Sequence, residues 1–404
     1  MTTTFTPEAL ADRSAWTQPE AMFEMLGEYR RNEPVVWVKG PGFLPFWLVT
    51  RYHDIMEIER RPELFTNRQG PILAEAEPPD ETAEEDLRPL PHRDGEDHRV
   101  HRAIAQGWFK YGNMQQVERH ATELARRSVD ELLASGPECD FAGVVAGRYP
   151  LQVILSILGL PEQDYDMMYR FTQIMVWDKD PEEAYRNWQD CLAYFDKVTA
   201  SRRSTPTGDL SSAISNGTVH GKLLVEPDLT TYYMLIADAG YETTSFAING
   251  GLFELMRHPE QLELLRREPE RIPNAVEEML RWTSPARHFM RTAQADTDVS
   301  GVRIREGDRL MLSYAAANRD EQVFTDSERF DVTRDGAGKH LAFGGSGPHH
   351  CLGAPLTRME MRLLFTELLS RVGETELAGE PGIAESVFLT GINRLPIRIS
   401  AKIG

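Results

Sequence analysis

Apolar residues recur every three to four positions over most of the stretch from Asp94 to about Leu369, the spacing of helices that bury one face. Three segments break that rhythm. "VVWVKGPGFLPFWLVT", residues 35–50, reads as two short strands around a Gly/Pro turn, and the following "RYHDIMEIERRPELF" returns to a helical pattern. Between Thr297 and Ser313, "TDVSGVRI" and "RLMLS" alternate as strands around Gly301 and Gly307. The tail, "ESVFLTGINRLPIRIS", is strand-like again. The pattern predicts a mainly α fold with a minor β region, assembled from both ends and one internal piece. Its strand-rich portions lie near 35–50, 297–313 and 387–400, and one domain spans 1–404.

One predicted helix is unusual. From Thr230 to the stop at Pro259 the chain is apolar on all sides over much of its length, as in a helix through the middle of a domain. Its centre nevertheless holds Gly240, Glu242, Thr243 and Thr244. One reading is a packed core helix whose glycine admits a neighbour and whose threonines bond back to the preceding turn. The other is a local widening, such as a π-bulge, that opens a groove for a small ligand beside an acid and a hydroxyl.

Composition narrows the classes. A content of 41% hydrophobic and 26% charged residues is that of a globular protein with ample core material. The net charge of -19 argues against general nucleic-acid binding and against docking on anionic membranes. Three cysteines, Cys139, Cys191 and Cys351, form no framework spacing, which suggests a reducing compartment. No basic leader with an apolar run opens the chain and no apolar stretch has the length of a span, so a cytoplasmic, unanchored protein is expected. Between Glu75 and Asp86 seven acids and two prolines predict a mobile surface loop or lid.

The chemistry concentrates in "LAFGGSGPHHCLG", residues 341–353. A structural thiol is the plain reading of Cys351. Zinc is a poor one: His349, His350 and Cys351 are consecutive and point apart, and no second cysteine stands at ligand spacing. A thiolate ligand to haem iron accounts for the surroundings. Glycines at 344, 345, 347 and 353 would let the backbone lie flat against a macrocycle, and their N–H groups would reach the sulfur. The helix that follows would turn its positive end to the thiolate. Haem propionates need cations, which "HRVHR" supplies as His98 and Arg102 at i, i+4, with Arg291 and His349 elsewhere. "DGAGKH", residues 335–340, lacks the hydroxyl residue and spacing of a phosphate loop.

Seven segments, in order, resemble those of the soluble bacterial cytochrome P450 haem-thiolate monooxygenases. They are "HRVHR", "AGYETT" (239–244), "EMLR" (278–281), "FMRTA" around Arg291, "ANRDEQVF" (317–324), "FDVTR" (330–334) and "FGGSGPHHCLG" (343–353). The resemblance implies a haem b buried between a long distal helix and a proximal helix after the cysteine loop. Cys351 would be the axial ligand, and His98, Arg102, Arg291 and His349 would hold the propionates. Gly240, Phe343, Gly345 and Gly353 would border the cofactor, with Gly240 giving dioxygen room. Thr243 and Glu242 would deliver protons, and Glu278 and Arg281 would form a structural pair reaching toward Arg334. Two departures stand out: eight steps rather than seven separate Phe343 from Cys351, and Glu242 replaces a common Asp.

The same resemblance, closest to the terpineol-oxidising branch, implies a C–H hydroxylation of a small hydrophobic substrate, a monoterpenoid or alkyl-aromatic. The extra loop residue points weakly to a steroid or longer lipid instead, and a non-catalytic haem sensor is the alternative of a different class. Pocket walls would come from Ile72, Leu73, Ile236, Ala237, Ala286, Phe289, Leu389 and Thr390. With no flavin or iron–sulfur segment in the chain, electrons would come from a separate ferredoxin and its NAD(P)H-dependent reductase. Arg99, Lys110, Arg358 and Arg362 offer a basic patch for that partner.

Overall fold

The structure is a computed structural model that describes residues 5–67, 69–73, 88–109, 111–176 and 181–401. The acidic stretch expected as a lid, and Lys110, lie outside them. The chain runs through strands β1 (Val35–Val38) and β2 (Phe46–Val49), helix α1 (Tyr52–Glu59), strand β3 (Phe65–Thr66), and helices α2 (Gly95–Gln106) and α3 (Tyr111–Ala134). Strand β4 (Glu138–Asp140), helix α4 (Tyr149–Leu158), the long α5 (Asp228–Arg257) and α6 (Ile272–Thr283) follow. Strands β5 (His288–Ala293) and β6 (Arg309–Ser313), helix α7 (Ala354–Arg371), and strands β7 (Val372–Leu377) and β8 (Pro396–Ala401) complete the framework.

Helix α5 spans about 45 Å at 1.5 Å per residue and is buried along most of its length, so other helices must cover it from several sides. Close approach depends on glycine. A Cβ at Gly240 would stand 2.5 Å from Ile154 Cδ1 of α4, and one at Gly251 would stand 2.7 Å from Met279 Sδ of α6. The helix is α-helical throughout. Of the two readings of Gly240, the packed helix is the one observed and the π-bulge is not; a π turn occurs at Ala142–Ala146, packed against α5. Tight α4 packing removes the reason for the long helix to widen.

The main sheet has the order β1-β2-β6-β5-β3. β2 and β6 pair in parallel, Trp47 opposite Leu310, and β6 and β5 pair antiparallel, Leu310 opposite Arg291. Phe289, expected as a pocket wall, lies inside β5 beside Arg291. The tail does not join this sheet. β8 pairs with β7 and with β4, Ile397 opposite Cys139, so a strand from within the helical stretch completes a separate sheet. Three residues of β4 are too short to show a period of two. The largest apolar cluster draws on residues from Ala105 to Ile399. No helix of the described residues is long and apolar enough to cross a membrane.

Candidate functional site

The cysteine loop closes on itself before α7 begins. The Cys351 N–H donates to the Phe343 carbonyl at 2.8 Å, and Gly344 takes φ +80°, a conformation that favours glycine. The N–H groups of Gly353 and Ala354 bond the Cys351 sulfur. Those are the amides at the sulfur, in spite of the extra loop residue. Burial pushes the thiol up, while the Gly353 amide, Arg102, the Ala354 amide and Arg358 pull it down. The side chain is crowded by protein yet remains accessible, so it faces an internal hollow.

Gly345 and Gly347 do different work from that expected. A Cβ on either would run into Glu59, and Gly345 would also strike Met56. They let the loop press on α1 rather than lie flat against a macrocycle. Gly353 does border the sulfur: its Cβ position is 3.8 Å from Sγ. The Phe343 ring is capped by the Arg358 guanidinium at 4.5 Å.

The four residues expected to hold the propionates gather around this loop, though not all as cations. Arg102 donates to the His350 carbonyl at 2.6 Å, and the His98 and His349 rings lie 4.1 Å apart. His349 Nε2 is 3.2 Å from Asp94 Oδ1. Burial, His349 and Arg102 drive His98 down to about 4, so its ring is neutral near pH 7. Arg291 Nη2 donates to Glu59 Oε1 at 3.0 Å. Glu59, which the sequence pattern did not single out, also accepts from the Tyr314 hydroxyl and the Gly345 amide. An acid buried at the last turn of α1 therefore joins the main sheet to the cysteine loop.

On the other side, Thr244 of α5 meets Thr357 in the first turn of α7, hydroxyl to hydroxyl, at 3.3 Å. This contact brings Thr243 to the cysteine end of α7. Ala239 is exposed and Leu235, Ile236 and Thr243 are partly so, although α5 is buried around them. Thr243 Oγ1 donates back to the Ala239 carbonyl at 2.7 Å. Glu242 is buried. One turn earlier, Asp238 has an Oδ1 that is buried without a hydrogen-bond partner among the described residues. Gly240 is turned to Ile154, so its close contact is helix packing rather than room for dioxygen.

The Cytochrome P450 family model matches residues 151–373. The chain is a cytochrome P450. It is 35% identical to cytochrome P450-terp of a Pseudomonas species, over 98% of this chain and 96% of that protein. It is 32% identical to a steroid C26-monooxygenase of Mycolicibacterium smegmatis, over 91% and 88% of the two chains. The crystal structure of CYP108D1 from Novosphingobium aromaticivorans superposes with a TM-score of 0.91 at 34% identity, covering both chains fully.

The family implies haem iron, and the residues present fit it. The cytochrome P450 chain provides an accessible sulfur with two amides on it, and two arginines and two histidines for carboxylates. The expected structural pair is also in place: Arg281 Nε and Nη2 bond Glu278 at 2.7 and 2.8 Å, and Arg334 Nε reaches the same carboxylate at 3.0 Å.

The expected pocket walls divide. Ile236 and Phe289 remain partly accessible, Ile72 is exposed, and Ala286 is nearly covered by its bridge to Leu389. Ala237 is fully buried on the far face of α5, and Leu389 packs with Phe246 and Ala384. Thr390 accepts from Arg287 at 2.6 Å and lines a groove beside Trp16. Leu73 is buried, its N–H reaching His288 Nε2 at 3.4 Å. These last four are thus structural. Phe388, missed in the sequence, packs on Phe289 at 5.4 Å and is partly accessible.

The uncompensated basic patch is not found among the described residues. Arg99 pairs with Glu96 at 2.5 Å, Arg358 bonds Glu277 at 2.7 and 2.9 Å, and Arg362 pairs with Glu118.

Proposed function

We propose that this cytochrome P450 hydroxylates a compact hydrophobic molecule, a monoterpenoid or alkyl-aromatic, using dioxygen and electrons from a separate ferredoxin and its NAD(P)H-dependent reductase. The observation that carries the reading is the accessible strip Leu235, Ala239, Thr243 on a helix buried along most of its length, tied through Thr244 and Thr357 to the end of α7 that Cys351 precedes.

Bound haem supplies the oxidising chemistry, its thiolate ligand favouring O–O cleavage. Cys351 would hold the iron through Sγ, with His98, Arg102, Arg291 and His349 on the propionates. In the resting fold the Thr243 proton is held on the Ala239 carbonyl. Rotation about χ1 would turn that proton into the accessible strip, and Glu242, adjacent in sequence, would return a proton to Thr243 Oγ1. Ile236, Phe289 and Phe388 give the site apolar walls, which orient a hydrophobic substrate and exclude water. The similarity to P450-terp over 98% of the chain supports a terpenoid substrate.

The test is optical. The reduced protein under carbon monoxide should show the red-shifted Soret band of thiolate ligation, and monoterpenoids or alkyl-aromatics should shift the ferric spin state more strongly than steroids. A band without the red shift removes the thiolate; a response confined to steroids removes the substrate class.

A further inference from the structure

Asp238 has no evident duty in the fold. It stands in the middle of α5, one residue before the exposed Ala239, at the edge of the strip formed by Leu235, Ile236, Ala239 and Thr243. The opposite face, with Tyr233, Ala237, Tyr241 and Thr244, is packed. Asp238 is itself partly accessible, but its Oδ1 is buried and unpartnered among the described residues. Leaving a buried acceptor unsatisfied costs roughly 1–3 kcal/mol, so a carboxyl here needs a partner that the described residues do not supply. The χ2 torsion of Asp is broad, and a small rotation would present either oxygen to the strip.

We propose that Asp238 is the polar recognition point of the substrate site and that the preferred substrate is a compact apolar molecule bearing a hydroxyl group. This rests on the monooxygenase reading above and adds the chemical class of its substrate. A hydroxyl both donates and accepts, as a protonated carboxyl does. Burial and the neighbouring Glu242 push Asp238 up to about 7, which keeps the protonated form available at neutral pH. The surrounding strip is otherwise apolar apart from Thr243, so one hydroxyl pair would fix the substrate's orientation while apolar contacts hold the rest.

The experiment compares 2-phenylpropan-2-ol with tert-butylbenzene, its isostere with methyl in place of hydroxyl, and with 2-phenylpropan-2-amine. Dissociation constants are read by optical titration of the ferric holoenzyme. The wild type should bind the alcohol at least about tenfold tighter than the hydrocarbon, the scale of one satisfied buried hydrogen bond. Asp238→Leu should bring the two to equal affinity, and Asp238→Asn, which keeps a donor and an acceptor, should retain most of the preference. Asp238→Ala serves if the leucine variant takes up no haem. An alcohol-to-hydrocarbon ratio unchanged by the leucine or alanine variant overturns the inference, as does tightest binding of the amine. A wild type with the carbon monoxide band but no alcohol preference sinks the Asp238 role alone; absence of the band sinks the monooxygenase reading beneath it.

Discussion

At the residue scale, Thr243 and Asp238, five residues apart on α5, have opposite needs. Thr243 has an internal acceptor for its proton, the Ala239 carbonyl, and can release it. A Thr243→Ala enzyme should still oxidise reductant, but product per reductant should fall severalfold with hydrogen peroxide appearing in its place; undiminished coupling would remove the proton role. Asp238 makes a prediction about pH. Its folded affinity for protons is raised, to about 7 from the usual 3.8, chiefly by burial and then by Glu242. The folded state then binds more protons than the unfolded one between those values, so this group's contribution falls as pH rises from about 4 to 7. Asp238→Asn should gain stability relative to wild type across that window, by at most about 4 kcal/mol, read as the difference in unfolding free energy at pH 5 and pH 8. A difference independent of pH would count against the buried acid. Glu59 is the third case. Its carboxylate serves Arg291, Tyr314 and the Gly345 amide at once, and Glu59→Ala would strand a buried guanidinium. A loss of roughly 3–5 kcal/mol in denaturant unfolding is expected, together with faster transfer of haem to an acceptor protein.

Among the elements, α5 and α6 show how much local sequence can decide. The long apolar run foretold α5 to within two residues at each end, because a helix buried on all sides needs no amphipathic signal. Its direction of packing was not foretold. Gly240 and Gly251 mark where α4 and α6 approach, and only the assembled structure says that Ile154 and Met279 fill those places. In α6, Glu278 and Arg281 have no exposed surface, and Arg281 also donates to the Asn318 and Ser327 carbonyls. Arg281→Ala should destabilise the enzyme by roughly 3–5 kcal/mol, because the buried Glu278 carboxylate keeps only Arg334 as a charged partner, with little change in the ligand spectrum of whatever protein remains folded. A mild effect would mean that Arg334 alone neutralises Glu278.

For the whole molecule, charge is the governing quantity. A net charge of -19 repels an acidic electron donor, and Arg99, Arg358 and Arg362 are each neutralised by a neighbouring carboxylate. Electron transfer from the proposed ferredoxin should therefore hold or rise, not fall, as salt goes from about 10 to about 150 mM, since salt screens the net repulsion and no unpaired patch among these arginines is left to steer the donor. A steep fall with salt, measured by stopped-flow reduction, would show that the donor finds a positive surface after all.

Sequence alone pointed to the thiol and to its neighbouring cations as the candidate site. Glycine, histidine and cysteine crowded into thirteen residues single out Cys351, and the ordered segments from His98 to Gly353 carry the family resemblance. Such motifs are legible because their function depends on residue type and short spacing. What only the tertiary structure decided depends on contacts between distant segments: Glu59 under the cysteine loop, the Thr244–Thr357 link, the acids beside Arg358 and Arg362, and the Asp238 Oδ1 without a partner among the described residues. A carboxylate's partners are set by what packs against it, hundreds of residues away, and no local pattern records that.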